Sequence, residues 1–77
     1  MRLILTFPTL HKVLSAEKTL RTSGDERLRC RPTPTPPGLS HDICGMSLEL
    51  MNPANRDLAE LLLQQANMQP KGIYLLD

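Results

Sequence analysis

Residues 32–45 read PTPTPPGLSHDICG. The stretch carries four of the chain's seven prolines and one of its two cysteines. Each residue ahead of a proline is pushed from helical toward extended angles, so no helix runs through it. It divides the chain in two. On its N-terminal side the pattern reads strand, helix, strand, and on its C-terminal side the same three elements recur.

The third strand begins as the stretch ends. Cys44, Met46, Leu48 and Leu50 alternate with Gly45, Ser47 and Glu49, the period of two of a strand with one face on a core. This predicts a strand over 45–50 with Cys44 facing the helices. Just ahead of the stretch, Leu28 to Arg31 reads as a strand ended by Pro32 and Pro34. Leu28 and Cys30 would point inward and Arg29 and Arg31 outward, a pattern of charge and proline typical of sheet edges.

Further out, Arg2 to Phe7 reads as a strand with Leu3, Leu5 and Phe7 on one face and Ile4 and Thr6 on the other. Thr9 is the expected N-cap of a helix reaching about Thr22, with Leu10, Val13, Leu14, Glu17 and Leu20 on the helical period. Gly24 is its stop. Beyond the third strand, Asn52 and Pro53 read as N-cap and first residue of a second helix. Its apolar stripe is Leu58, Ala59, Leu61, Leu62, Leu63 and Ala66, ended by Asn67 and Pro70. A turn at Lys71-Gly72 leads into a last strand, Ile73 to Leu76.

The order βαββαβ predicts one α+β domain over residues 1–77. It is the ferredoxin-like split βαβ, with an antiparallel sheet of order 4-1-3-2 and both helices on one face. In that topology the end of the first strand, the start of the first helix, the proline-rich loop, the start of the third strand and the Lys71-Gly72 turn share one end of the sheet. Cys44 is therefore expected near Thr9 to His11.

Composition narrows the function classes. With 77 residues there is room for a thin core and no large cavity. Phe7 and Tyr74 are the only aromatics, which argues against single-strand nucleic-acid readers built on base stacking. Net charge is +1, and Arg27, Arg29 and Arg31 read as a solvated edge, so no nucleic-acid partner is expected. The run Leu3 to Leu5 is too short for a signal peptide or a membrane span. The expected setting is cytoplasmic, where thiols stay reduced.

Cys44 is the candidate nucleophile. A helix N-terminus brings a partial positive charge and free amides, and both lower a thiol pKa. The dipole alone is worth at most about one and a half pKa units, while burial against Met46 and Leu48 would act the other way. Gly45 leaves room beside the sulfur. His11 and His41 flank the same site as possible bases or cationic partners, with Thr9 at the helix cap. The other reading of Cys44 is a small buried core residue. Cys30 reads as core, with pairing to Cys44 on oxidation as its alternative. The grouping of His11, His41, Asp42, Cys30 and Cys44 matches no closed zinc signature, and no phosphate loop or catalytic triad pattern is present. Neither a metal nor a cofactor is expected.

Several stretches resemble a small bacterial family, the putative selenium/sulfur carrier-like proteins. They are Phe7-Pro8-Thr9 with His11 close behind, Ala16-Glu17-Lys18, the proline-containing segment after the second strand, Cys44-Gly45, and Gly72-Ile73-Tyr74. Together they span nearly the whole chain. The run of alternating prolines is richer than the family's pattern. The resemblance implies a carrier rather than a turnover enzyme. A thiolate at Cys44 would hold a chalcogen as a persulfide or perselenide, and donor and acceptor proteins would be its partners.

The competing reading is a non-catalytic interaction module with Cys44 in its core. Ile4, Tyr74 and Leu76 should share the helix-free face of the sheet, an apolar patch suited to homo-oligomer formation.

Overall fold

A computed structural model of the chain describes residues 1–39 and 45–77. Four strands and two helices follow in order: β1 (Arg2–Thr6), α1 (Leu10–Thr22), β2 (Cys30–Pro34), β3 (Met46–Leu50), α2 (Arg56–Gln65) and β4 (Gly72–Leu76). Single 3-10 turns precede β2 (Glu26–Leu28) and α2 (Pro53–Asn55).

All pairing is antiparallel, β1 with β3, β1 with β4 and β2 with β3. The order across the sheet is β2-β3-β1-β4 counted from the β2 edge, where 4-1-3-2 counts from the β4 edge. Leu3 and Leu5 stand opposite Leu50 and Leu48, so one face collects the large apolar side chains of both central strands. Val13, Ala16 and Leu20 of α1 and Ala59 and Leu63 of α2 close over that face in one buried cluster with Phe7 and Leu28. The molecule is thus α+β, with both helices on the same side of the sheet.

α1 starts where Thr9, in extended conformation, accepts at its hydroxyl from the Lys12 N–H at 3.2 Å, which satisfies one of the four unpaired donors of the first turn. It ends at Ser23, and Gly24 then turns away with φ of +74°. The expected stripe is only half buried. Leu10 and Leu14 are each 49% exposed, because they lie a quarter turn or more round the helix from the line of Val13, Ala16 and Leu20. A single sheet layer covers only one stripe.

The second strand is displaced from its expected position. Leu28 belongs to the 3-10 turn capped by Asp25, and β2 runs through Pro32 and Pro34 instead of stopping before them. The ladder explains why. The Met51 N–H donates to the Arg29 carbonyl and the Thr35 N–H to the Gly45 carbonyl, both at 2.9 Å. Residues 29, 31, 33 and 35 therefore turn their peptide groups toward β3, while 30, 32 and 34 turn theirs outward. The prolines occupy outward positions, where no N–H is required.

α2 begins three residues later than Pro53, after the turn in which the Asn52 side chain accepts from the Ala54 N–H. Leu61 is 52% exposed rather than part of the stripe, since it points directly away from Ala59 and Leu63. The helix ends with Asn67 at φ of +58°. The Met68 N–H donates to the Leu63 carbonyl at 2.8 Å and the Asn67 N–H to the Gln64 carbonyl at 3.0 Å. This is the paired bond pattern of a Schellman cap, and it carries Met68 back onto the core.

Candidate functional site at the β1–α1 end of the sheet

The register gathers four chain segments at one end. Leu5 pairs with Leu48, so the exit of β1 and the entry to β3, with Gly45 just ahead of it, lie at the same end of the sheet. Thr35 pairs with Gly45 through its N–H. Gly72 stands opposite Thr6, and the Lys71 N–H donates to the Thr6 carbonyl at 2.7 Å. The exit of β1, the start of α1, the entry to β3 and the turn into β4 therefore adjoin one another. Gly45 is exposed there, as are Thr9 and His11.

Among the described residues, the charges at this end are ones that favour an anion. The first turn of α1 contains no acidic residue, so the positive end of the helix dipole is not neutralised. His11 and Lys12 follow the cap, and Lys71 lies at the same end of the sheet. Phe7, His11, Lys12 and Ser15 line a cleft of about 440 Å³, closed on its far side by Asn67, Met68 and Gln69. Sequence reasoning found His11 and Thr9 but missed the contribution of the α2 cap. The signal was Asn67, a residue suited to a left-handed cap, which turns the chain back toward α1.

Of the expected site residues, Thr9, His11 and Gly45 share this end. Cys44 and His41 lie outside the described residues, as does the expectation that Cys44 faces the helices. Among the described residues no three His, Cys, Asp or Glu side chains gather as metal ligands.

Cys30 has a different environment. It is half-buried against the core cluster, and burial, with the negative charge of Glu17 second, pushes its thiol up to about 11. It stands opposite Leu50, and its alternative role, pairing with Cys44 on oxidation, falls outside the described residues.

The helix-free face also differs from expectation. Ile4 does stand opposite Tyr74 on that face, and Arg2 opposite Leu76. Yet Ile4 is fully buried and contributes nothing to an exposed apolar patch. Around it the face is polar. Arg2 donates to Glu49 through Nε at 3.3 Å and Nη2 at 3.1 Å, and Arg31 donates to the same carboxylate at 3.5 Å. The Ser47 and Thr35 hydroxyls bond at 2.6 Å, and the Thr6 hydroxyl donates to the Gly72 carbonyl at 3.3 Å. The pairing of Arg31 with Glu49 across β2 and β3 was the sequence's available signal for this network, hidden by the misplacement of β2.

The fold is that of a small α+β protein, and the described charged side chains at this end, Lys12 and Lys71, are basic. Residues 2–75 match the family described as Putative Se/S carrier protein-like, and the chain belongs to that family. No curated protein and no solved structure matches it significantly. Among the described residues no helix is long and apolar enough to cross a membrane.

Proposed function

We propose that this chain carries sulfur or selenium on Cys44, taking it from a donor protein and handing it to an acceptor. The observation that supports this most is the register that puts the entry to β3, where Gly45 is bonded to Cys44, at the same end of the sheet as the start of α1, whose first turn has no acidic residue. Family membership supports the class of cargo. The raised pKa of Cys30 leaves that thiol a poor nucleophile at neutral pH.

The transfer needs no net oxidant. A thiolate attacks the outer chalcogen of a donor persulfide or perselenide. A new S–S or S–Se bond forms, the donor's S–S or S–Se bond breaks, and the donor cysteine leaves as a thiolate. An acceptor thiolate then repeats the step on the carrier. The bound persulfide or perselenide is anionic near neutral pH, so the α1 dipole and Lys12 favour it. His11, at the same end, would shuttle a proton or add positive charge in this reading.

The architecture is read as the ferredoxin-like split βαβ in a single domain. It gives the carrier a rigid platform, with the chemistry at a sheet end where donor and acceptor can approach in turn. A cytoplasmic setting follows from the chemistry, because a persulfide carrier works where thiols stay reduced.

The test is intact mass after incubation with a small persulfide donor and, in parallel, with a selenium donor, on Cys30→Ala and on Cys30→Ala combined with Cys44→Ser. A one-chalcogen gain in the first protein and none in the second is expected. A gain in neither, with both folded, would leave the interaction-module reading in its place.

A further inference from the structure

The two edges of the sheet are built differently. On the β2 edge the outward peptide positions of 32 and 34 are prolines, so no strand can bond there continuously. The β4 edge has no such block. Odd-numbered residues of β3 face β2, so Leu48 and Leu50 turn their peptide groups to β1, where Leu5 and Leu3 receive them. Arg2, Ile4 and Thr6 then bond to β4 through Leu76, Tyr74 and Gly72. The peptide groups of Ile73 and Leu75 are left facing outward. Among the described residues no strand lies beyond them, and the Leu75 side chain at that edge is 54% exposed.

We infer that β4 pairs with β4 of a second copy of this chain, antiparallel about a two-fold axis at Tyr74. The sequence Lys71-Gly72-Ile73-Tyr74-Leu75-Leu76-Asp77 is self-complementary in that register. Ile73 meets the partner's Leu75 as a hydrogen-bonded pair, so the outward peptide groups of each copy meet those of the other. Side chains of both residues lie on the helix side, apolar against apolar. Lys71 falls opposite the partner's Asp77, which places opposite charges at both ends of the new ladder. Shifting the register by one residue would set peptide groups against none. The result is one continuous eight-stranded sheet, with the two Gly45 ends at opposite extremes. This surface is distinct from the face around Ile4.

An edge contact of this size is smaller than a standard interface, so the association is weak and is read at protein concentrations up to about 1 mM. The experiment is sedimentation equilibrium over a concentration series, with amide exchange by NMR at Ile73 and Leu75. The wild type shifts from monomer to dimer, and those two amides gain protection as concentration rises. Asp77→Lys weakens the dimer about tenfold, since two attractive pairs become repulsive. The double exchange Lys71→Asp with Asp77→Lys restores it. Leu75→Pro, which copies the device already present at Pro32 and Pro34, leaves a folded monomer. If that variant does not fold, the charge exchange decides alone. A wild type monomeric throughout, a dimer indifferent to Asp77→Lys, or a double exchange that fails to restore would each overturn the proposal.

Discussion

Glu49→Gln should destabilise the protein at neutral pH and leave it nearly unchanged in acid. The Glu49 side chain is 8% exposed, and its partners Arg2 and Arg31 are 42% and 62% exposed. A hydrogen bond to a charged group is worth about 1.5–3 kcal/mol when dry, but an exposed ion pair is worth only about 0.2–1 kcal/mol. Arg2, with two bonds and a half-exposed guanidinium, falls between these limits. Arg31, at 3.5 Å and mostly solvated, adds little. The loss should be about 1–2 kcal/mol, or roughly 5–15 °C in Tm for a domain of this size. The guanidinium of Arg2 holds the Glu49 carboxyl below the usual carboxylate range. A depressed folded pKa means the unfolded chain takes up the proton first as pH falls. The stabilisation is therefore present above the unfolded carboxylate pKa and disappears as pH drops through the folded one. Urea unfolding of both proteins at pH 7 and near pH 2.5 measures this. An equal deficit at both values would assign the loss to shape rather than charge. No deficit at pH 7 would remove the network from any role in stability.

Leu63→Ala removes a fully buried side chain from the contact between α2 and the sheet and should cost about 2–5 kcal/mol by chemical denaturation. Leu61→Ala, on the exposed side of the same helix, should stay within about 0.5 kcal/mol. Thr9→Ala deletes the hydroxyl that accepts from the Lys12 N–H and should cost about 1 kcal/mol, read as a lowered Tm with the fold intact. The raised thiol of Cys30 predicts alkaline sensitivity. The unfolded chain loses this proton first as pH rises, so stability falls from the ordinary thiol range toward the folded value of about 11. Cys30→Ala should flatten that part of the pH–stability curve, and an unchanged slope would assign it to other groups.

The central strands and the helix caps were legible because each rests on local rules. Leu3, Leu5, Leu48 and Leu50 alternate cleanly, and Thr9, Asn52 and Asn67 cap or terminate where their side chains permit. Expectation failed where a local rule met a tertiary constraint. Proline was read as a strand terminator, yet at an edge only alternate residues need an N–H, and Pro32 and Pro34 fall on the others. Period alone gave both helices wider stripes than one sheet layer can cover, which left Leu10, Leu14 and Leu61 in solvent. Ile4 was assigned to an exposed patch because no helix covers its face. Its buried neighbours Thr6, Ser47 and Glu49 form a satisfied polar layer around it, and that layer depends on cross-strand pairs that no single strand reveals.

The same contrast governs the candidate site. Thr9, His11 and Gly45 could be brought together from topology, because strand order fixes which turns share an end of a sheet. The cleft beside them depends on how Asn67 redirects the chain after α2, a contact between helices distant in sequence. A thin domain has little interior in which to hide a reactive group, so a carrier of this size must hold its cargo at an edge. What selects the edge is the field. The β1–α1 end has a helix N-terminus without acids in its first turn. The opposite end, where α1 runs out, has Glu17, Asp25 and Glu26 offset by Arg21 and Arg29 in the lining of the cleft that contains Cys30, with Glu17 paired to Arg21 and Asp25 to Arg27. The proposed anionic persulfide or perselenide would meet a helix dipole at the first and a balanced set of charges at the second, where burial above all holds the Cys30 thiol protonated. Of the two cysteines, the one bonded to Gly45 is therefore the one on which the proposed chemistry rests.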